Sequence, residues 1–296
     1  MRTVSRILAA TDFSPAGHAA LARAGQLAAQ HEAELRVIHS TPDWNLFSNR
    51  APMPQQHYED ISKNAELLLK RATDWLASEF TIHVHGEIHR GKASQAIARA
   101  VGLYQPNLLV IGAHGEHAPQ MMTPTAVGTT TLKLIAQIRV PLLLVREAVV
   151  KRYNTCLAAV GTSTEQGRRI VRWAATLAAG GDCHVVRAYE VPYLERLKLC
   201  DVSAEAISTC SQDAELAARY VADPPWSTEE GGARMHMHLV RGRPVTSVLS
   251  EIARLAPQFI AVGRHEEAPL STEHPLMGCV GMQIAYHCPV DVLIVP

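Results

Sequence analysis

The stretch RILAATDFS at residues 6–14 decides the fold, because it returns as TCLAAVGTS at residues 155–163. In both copies a short apolar run ends in small polar turn residues, which is typical of a strand buried on both faces. Ser14 followed by Pro15 predicts the N-cap and the first position of a helix. At the equivalent place in the second copy, Ser163 and Gln166 predict a capping box. The chain therefore contains a strand-to-helix unit twice.

Other anchors keep the register between the two copies. HVH at residues 83–85 corresponds to HMH at residues 236–238, and a glycine follows each, Gly91 and Gly242. Glycines separated by 21 positions occur in both copies, at 91 and 112 and at 242 and 263. These anchors predict a tandem duplication with an offset near 151 residues. We expect domains at residues 1–148 and 149–296, joined in the charged stretch 146–152.

Each copy alternates strand-like and helix-like segments. In the first copy we predict strands at residues 5–11, 34–40, 81–86, 107–112 and 141–146. Helices are predicted at residues 15–30, 94–103 and 129–138. A further helix follows the polar loop 41–56 and ends at about residue 79. Such alternation predicts an α/β fold with a parallel sheet and helices on both faces. In such sheets ligands bind beyond the carboxyl ends of the strands, where strand order reverses.

Composition argues against several classes of protein. The 28 basic side chains balance 28 acidic ones and only 5% of residues are aromatic, so we expect no nucleic-acid partner. No apolar run approaches the roughly 18 residues of a membrane span, and the N-terminus has no secretion signal. All six cysteines lie in the second half without a C-x-x-C pair. Reduced thiols, a cytoplasmic location and no membrane partner are therefore expected.

The sequence GAHG at residues 112–115 followed by VGTTT at residues 127–131 is the strongest candidate site. Glycines let backbone amides approach a phosphate, and a helix N-terminus presents unpaired N–H groups and a positive dipole. Thr129 and Thr130 add hydroxyl donors, and the carboxylate of Asp12 is suited to accept a hydrogen bond from the exocyclic amine of adenine. The alternative is structural, with Gly112 and Gly115 forming a turn and Asp12 capping a helix.

These motifs, together with LRVIHS at residues 35–40 and PLLLV at residues 141–145, resemble the universal stress protein family. The resemblance covers both halves. It implies two tandem Rossmann-like domains of the adenine nucleotide alpha hydrolase-like type, each a five-stranded parallel sheet of order 3-2-1-4-5. The nucleotide signature of that family is G-x2-G-x9-G-S/T, whereas twelve residues, 116–127, separate Gly115 from Gly128 here. The implied ligand is ATP or AMP, with Mg²⁺ accompanying ATP. The implied binding residues are Thr11, Asp12, Ser40, Ile111, Gly112, His114, Gly115, Gly128, Thr129 and Thr130.

The second copy departs from the signature. Gly161 replaces Asp12, Glu266 replaces the second glycine, and Cys279 replaces Thr129. We therefore expect a degenerate second domain without nucleotide. The function predicted is adenine-nucleotide binding in the first domain, coupled to a stress-response or regulatory role through unidentified protein partners. The alternatives are an interaction module of the same fold that binds no nucleotide, and a weak ATPase for which no catalytic residue can be named.

The resemblance also carries an expectation about assembly. The last strand of each copy, at residues 141–145 and 290–295, is an edge strand in the implied order. An exposed apolar edge favours aggregation unless another strand covers it. We expect the two edges to pair as an intramolecular pseudo-dimer, with a homodimer as a further form.

Three weaker signals remain. GEIHRGK at residues 86–92 has P-loop spacing, but Ala93 lacks the hydroxyl that binds Mg²⁺, and chance is the favoured explanation. His83 with His85, and His236 with His238, alternate along strands and are suited to a metal only if further ligands converge. Solvated histidines are favoured, and no metal site is predicted. Cys200 and Cys210 belong to no recognised motif, so the sequence supports redox sensing by them only weakly.

Overall fold

A computed structural model describes residues 4–42, 55–115, 127–146, 151–191, 194–200, 202–222, 232–264 and 280–296. The chain divides into two compact units. One comprises Met1–Arg152 with Pro289–Asp291, and the other comprises Tyr153–Cys288 with Val292–Pro296. No helix of these described segments is long and apolar enough to cross a bilayer.

The first repeat is an open parallel sheet with helices on both faces. Its strands are ordered β3-β2-β1-β4-β5, so the order reverses between β1 and β4. The predicted α/β fold class is confirmed. The elements are β1 (Arg6–Thr11), α1 (Pro15–His31), β2 (Glu34–Thr41), α2 (Gln55–Phe80), β3 (Val84–Arg90), α3 (Ala93–Tyr104), β4 (Leu108–Gly112), α4 (Thr129–Gln137) and β5 (Leu142–Val145).

The second repeat has the same topology, with strand order β8-β7-β6-β9-β10. It contains one additional short helix before the long helix that packs on β7 and β8. The elements are β6 (Thr155–Ala159), α5 (Thr164–Leu177), β7 (Asp182–Tyr189), α6 (Leu194–Leu199), α7 (Ala204–Ala222), β8 (Arg234–Arg241), α8 (Pro244–Leu255), β9 (Phe259–Gly263), α9 (Val280–His287) and β10 (Asp291–Val295).

The amino ends of the central strands are held by one side-chain carbonyl in each repeat. Asn107 Oδ1 accepts from the backbone N–H groups of Ser5 at 3.0 Å and Arg6 at 2.9 Å. In the second repeat, Gln258 Oε1 accepts from the N–H groups of Asn154 and Thr155 in the same way. We call this contact the amino-end brace. It satisfies backbone donors at and just before the start of the first strand and ties that strand to its neighbour.

The third strand begins later than predicted. The sequence placed it at residues 81–86, but β3 runs from Val84 to Arg90 because it pairs in register with β2, Leu35 opposite Val84. Thr81, with φ +55°, ends α2 and excludes the first predicted residues from the strand. Residues 86–90 are therefore extended strand rather than a loop, and they cannot wrap a phosphate as a P-loop does.

The same register corrects the histidine alignment. In the first repeat His85 of β3 pairs with Arg36 of β2. At the equivalent position of the second repeat His236 of β8 pairs with His184 of β7, so the counterpart of His85 is His236 and not His238. His83 lies just before β3, outside the strand that was predicted to carry both His83 and His85. His85 and His236 are 151 positions apart, which is the offset that the glycines keep. The alignment of HVH with HMH, at an offset of 153, was therefore wrong by two residues.

Candidate functional site

The loop after β1 fixes the carboxylate of Asp12 at the carboxyl end of the first sheet. Asp12 Oδ1 accepts hydrogen bonds from the N–H of Ser14 at 3.1 Å and from its hydroxyl at 2.5 Å. Ser14 is the N-cap of α1, as predicted, and its Oγ accepts from the N–H of Gly17 at 3.1 Å. The start of the helix thus holds the carboxylate in one orientation.

Two glycines from different parts of the repeat leave the space that this carboxylate occupies. A Cβ at Gly17 would lie 2.7 Å from Asp12 Oδ1, and a Cβ at Gly115 would lie 2.7 Å from Asp12 Oδ2. Both distances are far below van der Waals contact, so a side chain at either glycine would displace the carboxylate. The segments that follow β1 and β4 therefore meet at Asp12.

The start of α4 lies against the segment that follows β4. Gly128 is the N-cap of α4 and donates its N–H to the carbonyl of Ala113 at 2.9 Å. A Cβ there would lie 3.4 Å from the Cα of His114 and 3.8 Å from the backbone nitrogen of Gly115. The first N–H groups of a helix have no partner inside it and carry the positive end of its dipole. This edge of the sheet consequently has the donor geometry of an anion-binding helix start.

The structure groups most of the predicted nucleotide residues where β1 and β4 end. Ile111 is buried inside β4 and belongs to the core, with only 4% of its surface exposed. Ser40 lies one strand further out on β2, in register with His89 of β3. Residues 116–126 of the spacer and Glu266, Gly278 and Cys279 of the second copy lie outside the described residues. The grouped residues are Thr11, Asp12, Gly112, His114, Gly115, Gly128, Thr129 and Thr130.

His39 is a site residue that the sequence interpretation missed. It is opposite Thr11 in the parallel register, and its Nδ1 lies 2.9 Å from the Thr11 carbonyl, which requires the hydrogen to be on Nδ1. Its ring packs against that of Phe13, with centroids 4.4 Å apart. Phe13 has φ +62°, an uncommon value for a non-glycine residue. The pairing of β1 with β2 brings these rings together, and only the register would have revealed it.

In the second repeat a side chain fills part of the equivalent crevice. Ser163 Oγ caps α5 by accepting from the N–H of Gln166 at 3.3 Å, as half of a capping box does. The other half, in which Gln166 Oε1 would accept from the N–H of Ser163, was predicted wrongly. The Gln166 carboxamide instead turns to Arg264, and its Nε2 donates to the carbonyl of Arg264 at 2.6 Å. The carboxamide lies against Gly263, where any Cβ would be 2.7 Å from its carbon. The same helix position in the first repeat is Gly17, which has no side chain to occupy the crevice.

The sequence model of the universal stress protein family matches the chain twice, over residues 3–146 and 152–296. The chain belongs to the universal stress protein family. Among curated proteins, no sequence matches it significantly.

Solved structures of universal stress proteins share the fold. One from Archaeoglobus fulgidus is 16% identical, with TM-score 0.68, and the match covers 98% of this chain and 97% of that one. A protein from Pseudomonas aeruginosa, described as a putative universal stress protein, is 16% identical, with TM-score 0.64 and coverage of 99% and 94%. A universal stress protein in complex with cAMP is 19% identical over 49% of this chain and 98% of its own, with TM-score 0.32. At these identities the likeness to the first two structures establishes the fold alone.

This universal stress protein also carries a histidine network on β7 and β8 of its second repeat. His184 Nδ1 lies 3.0 Å from His238 Nε2, and Arg254 Nη2 lies 3.2 Å from His238 Nδ1. Because arginine only donates, His238 accepts at Nδ1 and donates from Nε2 to His184. His236 belongs to a separate pair with Asp182, at 2.9 Å. Within the described segments, no group of three histidine, cysteine or acidic side chains is arranged to hold a metal ion.

His184 and His238, which the hydrogen bond joins, both resist protonation. Desolvation lowers the pKa of His184 and of His238, and the nearby Arg254 guanidinium lowers both further. A histidine whose pKa is lower in the folded state than unfolded binds fewer protons when folded. Its stabilising effect is complete above the unfolded value near 6.5 and is lost as pH falls below that value towards the folded one.

We expect the thermal midpoint to fall as pH is lowered from about 7.5 to about 5. The slope contributed by each of the two histidines cannot exceed about 1.4 kcal/mol per pH unit, because each histidine binds at most one proton. Melting curves of wild type and His238→Gln would measure it, and the variant should lose less stability on acidification. His83→Gln, at an exposed position outside the network, is the matched control and should retain the wild-type slope. Identical slopes in wild type and His238→Gln would contradict the prediction.

Proposed function

We propose that the first domain, residues 1–148, binds an adenine nucleotide, ATP or AMP. The observation that carries this proposal is the meeting of Asp12, Gly115 and the start of α4 at the edge where β1 and β4 end. Strand order reverses between these two strands, which is where open α/β sheets bind ligands. The helix start supplies donors for phosphate and the carboxylate supplies an acceptor for the exocyclic amine of adenine.

Nucleotide binding would serve a stress-response or regulatory role in the cytoplasm through protein partners. Mg²⁺, where present, would accompany the phosphates of ATP. The second domain, residues 149–296, is proposed to bind no adenine nucleotide, because it lacks Asp12 and because Gln166 fills the part of the crevice beside Gly263. The full chain should therefore bind about one nucleotide.

Mass spectrometry of the denatured, purified protein tests this function directly. Co-purified ATP or AMP supports nucleotide binding. ADP together with slow ATP turnover would support the weak ATPase instead. Absence of any nucleotide, followed by no binding in calorimetric titration, would favour an interaction module that uses no nucleotide.

The role of Asp12 gives a sharper test. We expect Asp12→Ala to weaken ATP binding by roughly 1–3 kcal/mol, because a hydrogen bond to a charged group is lost. Inosine triphosphate carries a carbonyl in place of the exocyclic amine, so its affinity should change little in the same variant. Calorimetric titration of both nucleotides measures the difference.

Ser14→Ala is the matched control for the capping role of Asp12. It removes the N-cap and both side-chain contacts of Ser14, but the backbone N–H at this position still donates to Asp12 Oδ1 and keeps the carboxylate at the site. We expect it to lower stability by about 1 kcal/mol while ATP affinity is retained. If Asp12→Ala binds ATP as tightly as wild type does, Asp12 is a helix-capping residue only.

A further inference from the structure

The crevice of the second repeat has a cation where the first repeat has a histidine. Arg187 of β7 donates from Nη1 to the carbonyl of Val160, which follows β6, at 3.4 Å. His39 makes the equivalent contact with the carbonyl of Thr11, the last residue of β1. Val160 is joined to β7 by its N–H, which donates to Val186 at 3.0 Å. Arg187 therefore lies at the carboxyl end of β6, against the residue that precedes Gly161.

The charge of Arg187 is not neutralised by any side chain in the described segments. Its guanidinium makes the one weak contact to Val160, and its Nε is buried without a hydrogen-bond partner there. Desolvation lowers the pKa of Arg187. Two other arginines of this repeat show the opposite effect, since Asp182 raises the pKa of Arg234 and Glu251 raises that of Arg254.

Gly161, the residue after Val160, occupies the position of Asp12. Among the residues that the structure describes, a Cβ built on Gly161 would meet no atom within 4 Å. The N-terminus of α5 begins three residues later, at Thr164, and its dipole favours an anion. The other half of the crevice is filled, because the Gln166 carboxamide lies on Gly263. The remaining room suits a small ligand rather than a nucleotide with its phosphates.

We propose that the second crevice binds a small oxyanion, a carboxylate or a phosphate, through Arg187. A planar guanidinium presents two parallel N–H donors that match two oxygens of such a group. Replacing Asp12 by Gly161 removes the negative charge that would repel this ligand, and replacing His39 by Arg187 adds a permanent positive charge. The two crevices thus differ in charge beside the end of the first strand of each repeat, with a carboxylate in one and a guanidinium in the other. This inference concerns the second domain and stands whether or not the first binds nucleotide.

Calorimetric titration of the full chain at low ionic strength would test the proposal, with sodium phosphate in one arm and sodium malonate in the other. We expect saturable binding of at least one anion, and the preferred one identifies the source of the oxyanion. Arg187→Gln keeps a donor for Val160 but removes the charge, so affinity should fall at least tenfold. Gly161→Asp places a carboxylate beside Arg187 and should cause a similar loss by neutralising it.

Arg234→Gln is the matched control, since it removes an arginine of the same repeat that already pairs with Asp182. It should retain the wild-type affinity within about twofold, and circular dichroism should show that each variant is folded. If Arg187→Gln does not fold, Gly161→Asp gives the answer alone, because its side chain enters open space. The proposal is overturned if wild type binds neither anion, as it would if Glu266 neutralised Arg187, or if the folded variants bind as wild type does.

Discussion

Gly128→Val is expected to lower the affinity for ATP at least a hundredfold, about 2.8 kcal/mol at about 1.4 kcal/mol per tenfold. Gly128 is the N-cap of α4, and a Cβ there already contacts the Cα of His114 at 3.4 Å. The two methyl groups of valine would extend further into the gap between the helix start and Gly115, where the proposed phosphates need close access to backbone N–H groups.

The fold should survive this change. Gly128 has φ −68° and ψ 154°, an extended conformation that valine adopts readily. Calorimetric titration with ATP measures the loss, and circular dichroism checks the fold. Gly128→Ala is the graded control, because its single methyl group makes only the contact at 3.4 Å and should leave most of the affinity. A folded valine variant with wild-type affinity would show that phosphates do not approach this helix start.

The largest effect on stability is expected from Gly181→Ala, which should lower the free energy of unfolding by about 3 kcal/mol or more. A Cβ at Gly181 would overlap the carbonyl of Asn154. That carbonyl cannot move away easily, because it accepts from the N–H of Asp182 at 2.7 Å. The amino-end brace also holds Asn154 through Gln258.

Chemical denaturation of Gly181→Ala and wild type would measure the difference. Gly102→Ala is the matched control, because it is the same substitution at an exposed position inside α3 where a Cβ meets nothing within 4 Å. It should increase stability by about 0.5–1 kcal/mol, since alanine is the better helix former. Equal stabilities for the two variants would mean that the contact between Gly181 and Asn154 yields at little cost.

Local patterns in the sequence predicted the features that depend on neighbours along the chain. The start of α1 is an example, because Ser14 and Pro15 determine the N-cap and first turn without help from the rest of the fold. The alternation of apolar strands with helices likewise predicted the fold class. Asp12, Gly115 and Gly128 were expected at one edge because the carboxyl ends of parallel strands lie together.

Features set by pairing and packing could not be read from the sequence. The register of β3 depends on β2 and on Gly86, where a Cβ would press against Leu69 and Thr73 of α2 at 3.0 Å. A capping box would have Gln166 Oε1 accept from the N–H of Ser163, but the Gln166 carboxamide instead turns to Arg264, 98 positions away, and Nε2 donates to its carbonyl. The contacts of His39 and Arg187 likewise need the pairing of neighbouring strands before they can be seen.

The amino-end brace has a consequence for how a duplicated protein can diverge. Asn107 and Gln258 secure the strands at the end opposite the crevices, with side chains that differ by one methylene group. Substitutions at the carboxyl ends therefore leave this anchorage intact. After a gene duplication, one copy could retain its ancestral ligand while the other accumulated changes such as Asp12 to Gly161, without first losing its fold. A protein engineer could exploit the same separation and exchange crevice residues between the two halves while leaving both braces untouched.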